Sequence, residues 1–482
     1  MSEGHSRLLS LHERYSLARR LCGSPPNVSM IVAYPSASSL PSITFLEKRI
    51  LELQEHFPTL DTRVDDERTI KPRITIRDQL WSPSDILGDG TYEPVEQDEE
   101  EQITRLLNTE RRDAASEDFD FETEPLWKVT RYVHPTKPDS ATAYISMVTD
   151  HVLIDGRGLL LLVSALLADD ISALPYEKRE NVRALENTID VKPSIRYLLP
   201  IVFEKLLLPK LPAFIQNYFH TTPCWPGKEF RGVRSQVDSA TSILFLPSDL
   251  VSSVKSTAKA HGVKTLHPII EAAYAAAIWT VWRYTISPFK FIAATPRSER
   301  DPSLGHAYCT GNYVSENRIT LDLHATDDFW IIAQRIANDL NDPNVRRNDR
   351  MAIGMISFIP DGLVVSDKPD PHKPTKWEEF LLEDTSDDKP FEESISVSNV
   401  GYARLPPRAT DMVWAQTSSR LGPPLAINAV GHEGGMRLTT LFREGTVVIE
   451  EEVKEMERVV KDIMEKIARG QQNMTLGVLA KK

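Results

Sequence analysis

Apolar residues in the first part of the chain gather in short runs, the pattern of strands buried inside a layered fold. Residues 28–34, 127–133 and 143–148 are rich in β-branched and aromatic types and read as strands, while residues 42–56 read as a helix. Residues 143–148, Ala-Tyr-Ile-Ser-Met-Val, read as a strand largely buried on both faces. Polar groups arrive abruptly at its exit, and residues 159–168 then read as a buried helix. A Pro-rich, charged stretch at about 178–232 interrupts this series. A second one follows it, with a strand at 242–246, a helix at 268–284, a strand at 291–294 and a helix near 328–340. The hairpin 426–432 and 436–442 turns at Gly434-Gly435. A last helix carries Ile449, Val453, Met456, Val460, Ile463 and Ile467 as one apolar stripe ended by Gly470. The two series predict an α/β protein with one unit over residues 1–177, a crossover at 178–240 and a second unit over 241–482.

Composition narrows the function classes. A chain of 482 residues, 41% hydrophobic and 26% charged, has material for two sizeable cores. Its net charge of -13 disfavours nonspecific nucleic-acid binding, which rewards a basic face. Cys22, Cys224 and Cys309 are odd in number and widely spaced, which suggests neither a disulfide framework nor a metal site. A reducing cytoplasm is the expected location. The first twenty residues lack an apolar block, against a secretory signal. The apolar stretches 158–168 and 269–282 fall short of the roughly 20 residues that span a bilayer, so no integral membrane association is expected. Residues 198–219 mix leucines and aromatics with Glu204, Lys205, Lys210 and three prolines. They read as an interdomain segment, with a membrane-surface patch as the alternative. The acidic residues 93–101 and the Pro/Asp/Lys-rich residues 367–390 read as solvated insertions. A monomer is expected.

The chemistry concentrates at the exit of the third strand, in Thr149-Asp150-His151-Val152-Leu153-Ile154-Asp155-Gly156. An imidazole with an ordinary pKa of roughly 6.5 can take a proton from a hydroxyl near neutral pH and return it, which suits acyl transfer. Histidines at strand ends are more often structural, but the trailing glycine and the strand, loop, helix context favour a working group here. Asp155, four residues on across a turn, points away from the histidine's working edge in this reading. It holds the loop by pairing with an arginine from elsewhere. Gly156 and Gly158 permit a tight turn.

The His-x-x-x-Asp-Gly pattern of His151, Asp155 and Gly156 resembles that of the acyl-CoA-dependent acyltransferases related to chloramphenicol acetyltransferase. Within them the chain looks most like the fungal alcohol acetyltransferase branch. Further segments carry the likeness in order along the chain: Leu11-His12-Glu13-Arg14-Tyr15 with the strand at 28–34, Pro125-Leu126-Trp127-Lys128-Val129, Thr295-Pro296-Arg297 leading to Gly311-Asn312-Tyr313-Val314, and Ser396-Val397-Ser398-Asn399-Val400-Gly401. The resemblance implies two similarly folded subdomains of mixed sheets flanked by helices, with an active-site tunnel at their interface. It implies His151 as general base for direct attack of an acceptor hydroxyl on an acyl-CoA thioester. Acetyl-CoA is then a co-substrate, with no bound cofactor and no metal. The acceptor expected by analogy is a small lipophilic alcohol such as a terpenoid or another secondary metabolite. It further implies that an arginine ahead of the Gly-Asn pair bridges to Asp155. Arg297 fits best by its distance from Asn312, with Arg300 as the alternative. Ser398 and Asn399, expected at the end of a short strand over 394–397, are candidate oxyanion or CoA contacts, though a simple turn would also account for them.

Three other readings compete. Carrier-bound acyl groups would be the substrates of a condensation or release domain, but condensation domains normally show a second histidine where this chain has Asp150. An inactive ligand-binding homologue would have little need to keep His151, Asp155 and Gly156 together. A cysteine hydrolase built on Cys309 and His306 lacks a nucleophile elbow in residues 305–311.

Overall fold

The computed structural model describes residues 6–95, 98–114, 119–173, 183–219, 222–228, 230–232, 239–300, 310–359, 375–384, 389–417 and 422–481. Cys309 and His306 lie outside these, as do 367–374 and 385–388, while Lys376–Asp384 forms a helix in which Trp377 and Leu381 are buried. Two mixed sheets dominate. The first has strand order β12-β2-β7-β6-β5, with β2 Asn27–Tyr34, β5 Leu87–Thr91, β6 Trp127–Val133, β7 Ala143–Asp150 and β12 Asp411–Gln416. The second runs β10-β9-β11-β13-β14-β8, from β8 Ser239–Pro247, β9 Lys290–Ser298, β10 Val314–Asp322, β11 Ile395–Tyr402, β13 Leu425–His432 and β14 Gly435–Arg443. A small third sheet of β1 Ser6–Leu8, β4 Arg73–Ile76 and β3 Thr62–Asp65 packs its Val64 and Ile74 into the core of the first.

The apolar runs become strands because both of their faces are covered. Every residue of β2 and β7 is buried. Helices Ile43–His56 and Gly156–Leu167 share a core with them through Leu46, Ile50, Leu162 and Leu166. A third cluster joins the two sheets, with Ile31, Ala33 and Tyr144 from the first against Ile243, Ala426 and Leu441 from the second. The second sheet packs on the helices His267–Trp282 and Glu450–Ala468. The first of these is buried along nearly its whole length, and the second buries the stripe Val453, Met456, Val460, Ile463 and Ile467. At roughly 1.5–3 kcal/mol for each fully buried large aliphatic side chain, such faces decide where the elements dock.

Two expectations change. The acidic residues at 93–101 are not simply a solvated insertion, because Asp98 caps a helix over Glu99–Asp113 and Glu99, Glu100 and Glu101 form its first turn. There carboxylates favour the positive end of the helix dipole. A boundary at residue 241 does not separate the sheets completely either. β12, from the second half, lies against β2 as an antiparallel edge strand of the first sheet, with Trp414 opposite Met30.

Candidate active site

β7 delivers the motif to the interface of the two halves. After its last residue the backbone is pinned at several points: the His151 N–H donates to the Pro26 carbonyl at 2.7 Å, and the Val152 N–H to Asp150 Oδ1 at 2.7 Å. The other Asp150 oxygen accepts from Arg20 Nε at 2.5 Å. The residue preceding His151 therefore anchors the N-terminal helix Leu11–Leu21.

His151 lines a cavity of about 740 Å³. The Asn312 amide donates from Nδ2 to the His151 carbonyl at 2.9 Å and lies 3.1 Å from the ring Nδ1. Burial, joined by the nearby charges of Arg19 and His12, pulls the imidazole pKa down to about 4 against the opposing pull of Asp155 and Asp150. The ring is thus neutral across the physiological range, as a proton acceptor must be. His12 hydrogen-bonds the Val314 carbonyl through Nε2 at 2.7 Å and shares the cavity wall. On the same wall Glu393 is pushed up to about 8 by burial and by Glu316, despite its ion pair with Arg318.

Asp155 borders the same cavity, but its carboxylate is taken up by the protein. It caps the helix Gly156–Leu167, accepting from the Gly158 N–H at 2.8 Å, and its Oδ2 accepts from the Tyr313 N–H at 2.8 Å. The same oxygen takes Arg300 Nη1 at 2.7 Å, with both side chains buried. Burial alone would raise its pKa, but Arg300 and the two N–H groups outweigh it and hold the carboxyl below the usual range. Arg300 also donates to the Gly311 carbonyl at 2.9 Å. The loop of the motif and the loop before Asn312 are therefore held together by one ion pair.

The bridging arginine is Arg300, not Arg297. Pro296, Ser298 and Arg300 face a second cavity, whereas Arg297 and Glu299 face the opposite way along the same strand path. Arg297 pairs with Asp349 at 3.1 Å and donates to the Leu340 carbonyl at 2.9 Å. Glu299 takes Arg346, Arg350 and Ser315. Side chains alternate across a strand, so counting back from Asn312 chose a residue of the wrong parity.

Gly156 is required for space, since its backbone does not adopt a positive φ. A Cβ there would lie 2.9 Å from the Trp414 ring and 3.0 Å from Val400. Ser398 and Asn399 lie within β11, which continues to Tyr402. Ser398 faces both cavities. Asn399 lines the second cavity, and its Oδ1 receives the Gly401 N–H at 2.8 Å, within a bulge where Gly401 takes φ +91°. The second cavity, about 360 Å³, shares Gly156, Pro296, Val314 and Ser398 with the first and adds Arg157, which bonds the Val400 carbonyl. The two spaces thus meet beside the motif. His12 and Asn312 stood in the segments that carried the resemblance, but no sequence signal marked either as a neighbour of His151. No cluster of His, Cys, Asp and Glu suited to a metal occurs among the described residues.

Two sheets meeting at such a paired cavity define the chloramphenicol-acetyltransferase-like and condensation-domain fold. No family model and no curated protein matches the sequence. Among solved structures, the trichothecene 15-O-acetyltransferase TRI3 from Fusarium sporotrichioides is similar at 13% identity and TM-score 0.62, over 96% of this chain and 94% of that one. The condensation domain of the monacolin K polyketide synthase MokA is similar at 9% identity and TM-score 0.61, over 98% and 99%. The epimerization domain of the third module of tyrocidine synthetase B is similar at 13% identity and TM-score 0.59, over 97% and 98%.

Proposed function

We propose that the protein is an O-acyltransferase that moves an acyl group, acetyl in the first instance, from acyl-CoA to the hydroxyl of a lipophilic alcohol. The observation that carries this reading is the separation of roles four residues apart: a neutral His151 open to a cavity, and an Asp155 whose carboxylate is committed to Arg300 and to the Gly158 and Tyr313 N–H groups. The fold shared with TRI3, an O-acetyltransferase, agrees with it.

In this mechanism the acceptor occupies the larger cavity, whose walls include Tyr15, Tyr197, Ile201 and Ile356. The acyl thioester approaches through the smaller one. His151 removes the hydroxyl proton as the oxygen attacks the thioester carbonyl. The tetrahedral intermediate collapses by breaking the carbon–sulfur bond, and the imidazolium returns its proton to the leaving thiolate. Asn312 Nδ2, which lies against both the His151 carbonyl and the ring Nδ1, orients the imidazole, and whichever ring nitrogen lacks the proton is the basic one. Ser398, on both cavities, is placed in this reading to meet the developing oxyanion. Removing such a donor costs about 10²–10³ in rate.

The test is mass-spectrometric detection of acetyl transfer from acetyl-CoA to simple, terpenoid and polyketide alcohols, with His151→Ala alongside. An ester from wild type, reduced by about 10²–10⁴ in the variant, is the expected result. Equal product from both would remove His151 as the base. Turnover with a carrier-bound thioester but none with acyl-CoA would move the assignment to the condensation class represented by MokA.

A further inference from the structure

The helix Ile195–Val202 and the turns that follow it have two apolar faces where a cavity-lining helix needs one. Tyr197 and Ile201 face the larger cavity. Ile195, Leu199 and Val202, spaced four and three apart, lie on the opposite side, and Ile195 and Leu199 are 77% and 63% exposed. Leu206 continues this face, and the next helix, Ala213–Phe219, adds Phe214 and Tyr218 at 74% and 83% exposure. Large side chains exposed in such density mark an interaction surface.

Charge selects the partner. Between residues 192 and 219 the chain carries Lys192, Arg196, Lys205 and Lys210 against Glu204 alone, and all four cations are exposed. This is a basic island in a chain of net charge -13. A second copy of the same face would set cations against cations, whereas anionic lipid headgroups would neutralise them while the leucines and aromatics enter the acyl boundary. No described helix is long and apolar enough to cross a membrane, so the geometry is that of a segment lying in the interface plane.

We propose that residues 195–219 dock the protein on an anionic lipid bilayer. Glu204 and Lys205, exposed on this segment, also line the larger cavity, so docking sets the cavity rim against the membrane. If the acyltransferase reading holds, a lipophilic acceptor reaches His151 from the bilayer without crossing water. The docking itself does not depend on that reading.

The test is co-sedimentation of the full chain with vesicles of phosphatidylcholine alone and of phosphatidylcholine with 30% phosphatidylserine. Each basic residue near an anionic surface is worth roughly fivefold in partitioning, so binding at least about tenfold tighter to the anionic vesicles is expected, weakening with added salt. Ile195→Glu with Leu199→Glu, neither lining the cavity, should abolish it with the thermal unfolding midpoint unchanged. Arg196→Glu with Lys210→Glu should remove the preference for anionic vesicles. Sedimentation with neither vesicle overturns the proposal. So does a dimer in size-exclusion chromatography that Leu199→Glu dissociates while vesicle binding is absent, because a second copy would then own the face. These readouts contain no acyl transfer, so their failure and that of the catalytic assignment are separately visible.

Discussion

His151 and Asp155 stand four residues apart and are treated in opposite ways by the fold. The aspartate is held by Arg300 and by the N–H groups of Gly158 and Tyr313, so that its charge is consumed by structure. The ring of the histidine meets a single amide, that of Asn312, and otherwise opens on a cavity. In the proposed mechanism the difference separates two requirements: a group that moves protons must be under-committed, and the loop that carries it must be over-determined.

Substitutions at the two positions should therefore fail differently. Asp155→Ala leaves Arg300 charged and buried without its partner and should cost roughly 3–5 kcal/mol of stability along with activity. His151→Ala should lose activity at a nearly unchanged unfolding midpoint. Chemical denaturation of both proteins checks this, and a stable, active Asp155→Ala would break the contrast. A smaller effect sharpens the assignment of the ion pair. Arg300→Ala should approach the Asp155 penalty, whereas Arg297→Ala, which releases Asp349 and leaves the Asp155 pair intact, should cost about 1–2 kcal/mol and lower turnover less. The reverse order would restore Arg297 as the bridge. The smallest effect is on pH. A base must be unprotonated, so kcat/KM falls as pH drops through the histidine's pKa. With that pKa near 4, activity should persist through pH 5–6, where an ordinary histidine would already be protonated. Stability moves in the same direction: between about 6.5 and 4 the unfolded chain binds a proton at this site that the folded one refuses, so the fold weakens as pH falls through that window.

Most of the architecture was legible because it rests on long apolar patterns. β6, the hairpin of β13 and β14, and the stripe of the last helix appear where their patterns put them, within a residue or two at the ends. The motif loop was legible because strand, polar exit and glycine coincide. What failed depended on contacts between distant segments. The choice between Arg297 and Arg300 turned on strand parity, which counting residues ignored. The role of Gly156 depended on Trp414, more than 250 positions away, so a need for space was read as a need for a turn. The hold of Asn312 on His151 could not be inferred from either local sequence. The segment 195–219 was ambiguous because both of its faces are apolar, and periodicity alone does not say which of them meets protein.

β12 has a consequence for how the molecule is made. The first sheet reaches β7 by residue 150, yet its outer strand begins only at Asp411. At about 5–20 residues per second of synthesis, a ribosome needs roughly 13–50 s to supply it. For that interval β2 presents a bare hydrogen-bonding edge to everything nearby, including other nascent chains of its own kind. The newborn protein is most exposed to misassembly while its motif is already synthesised but its sheet is unfinished, and a chaperone that covers β2 would act in that window.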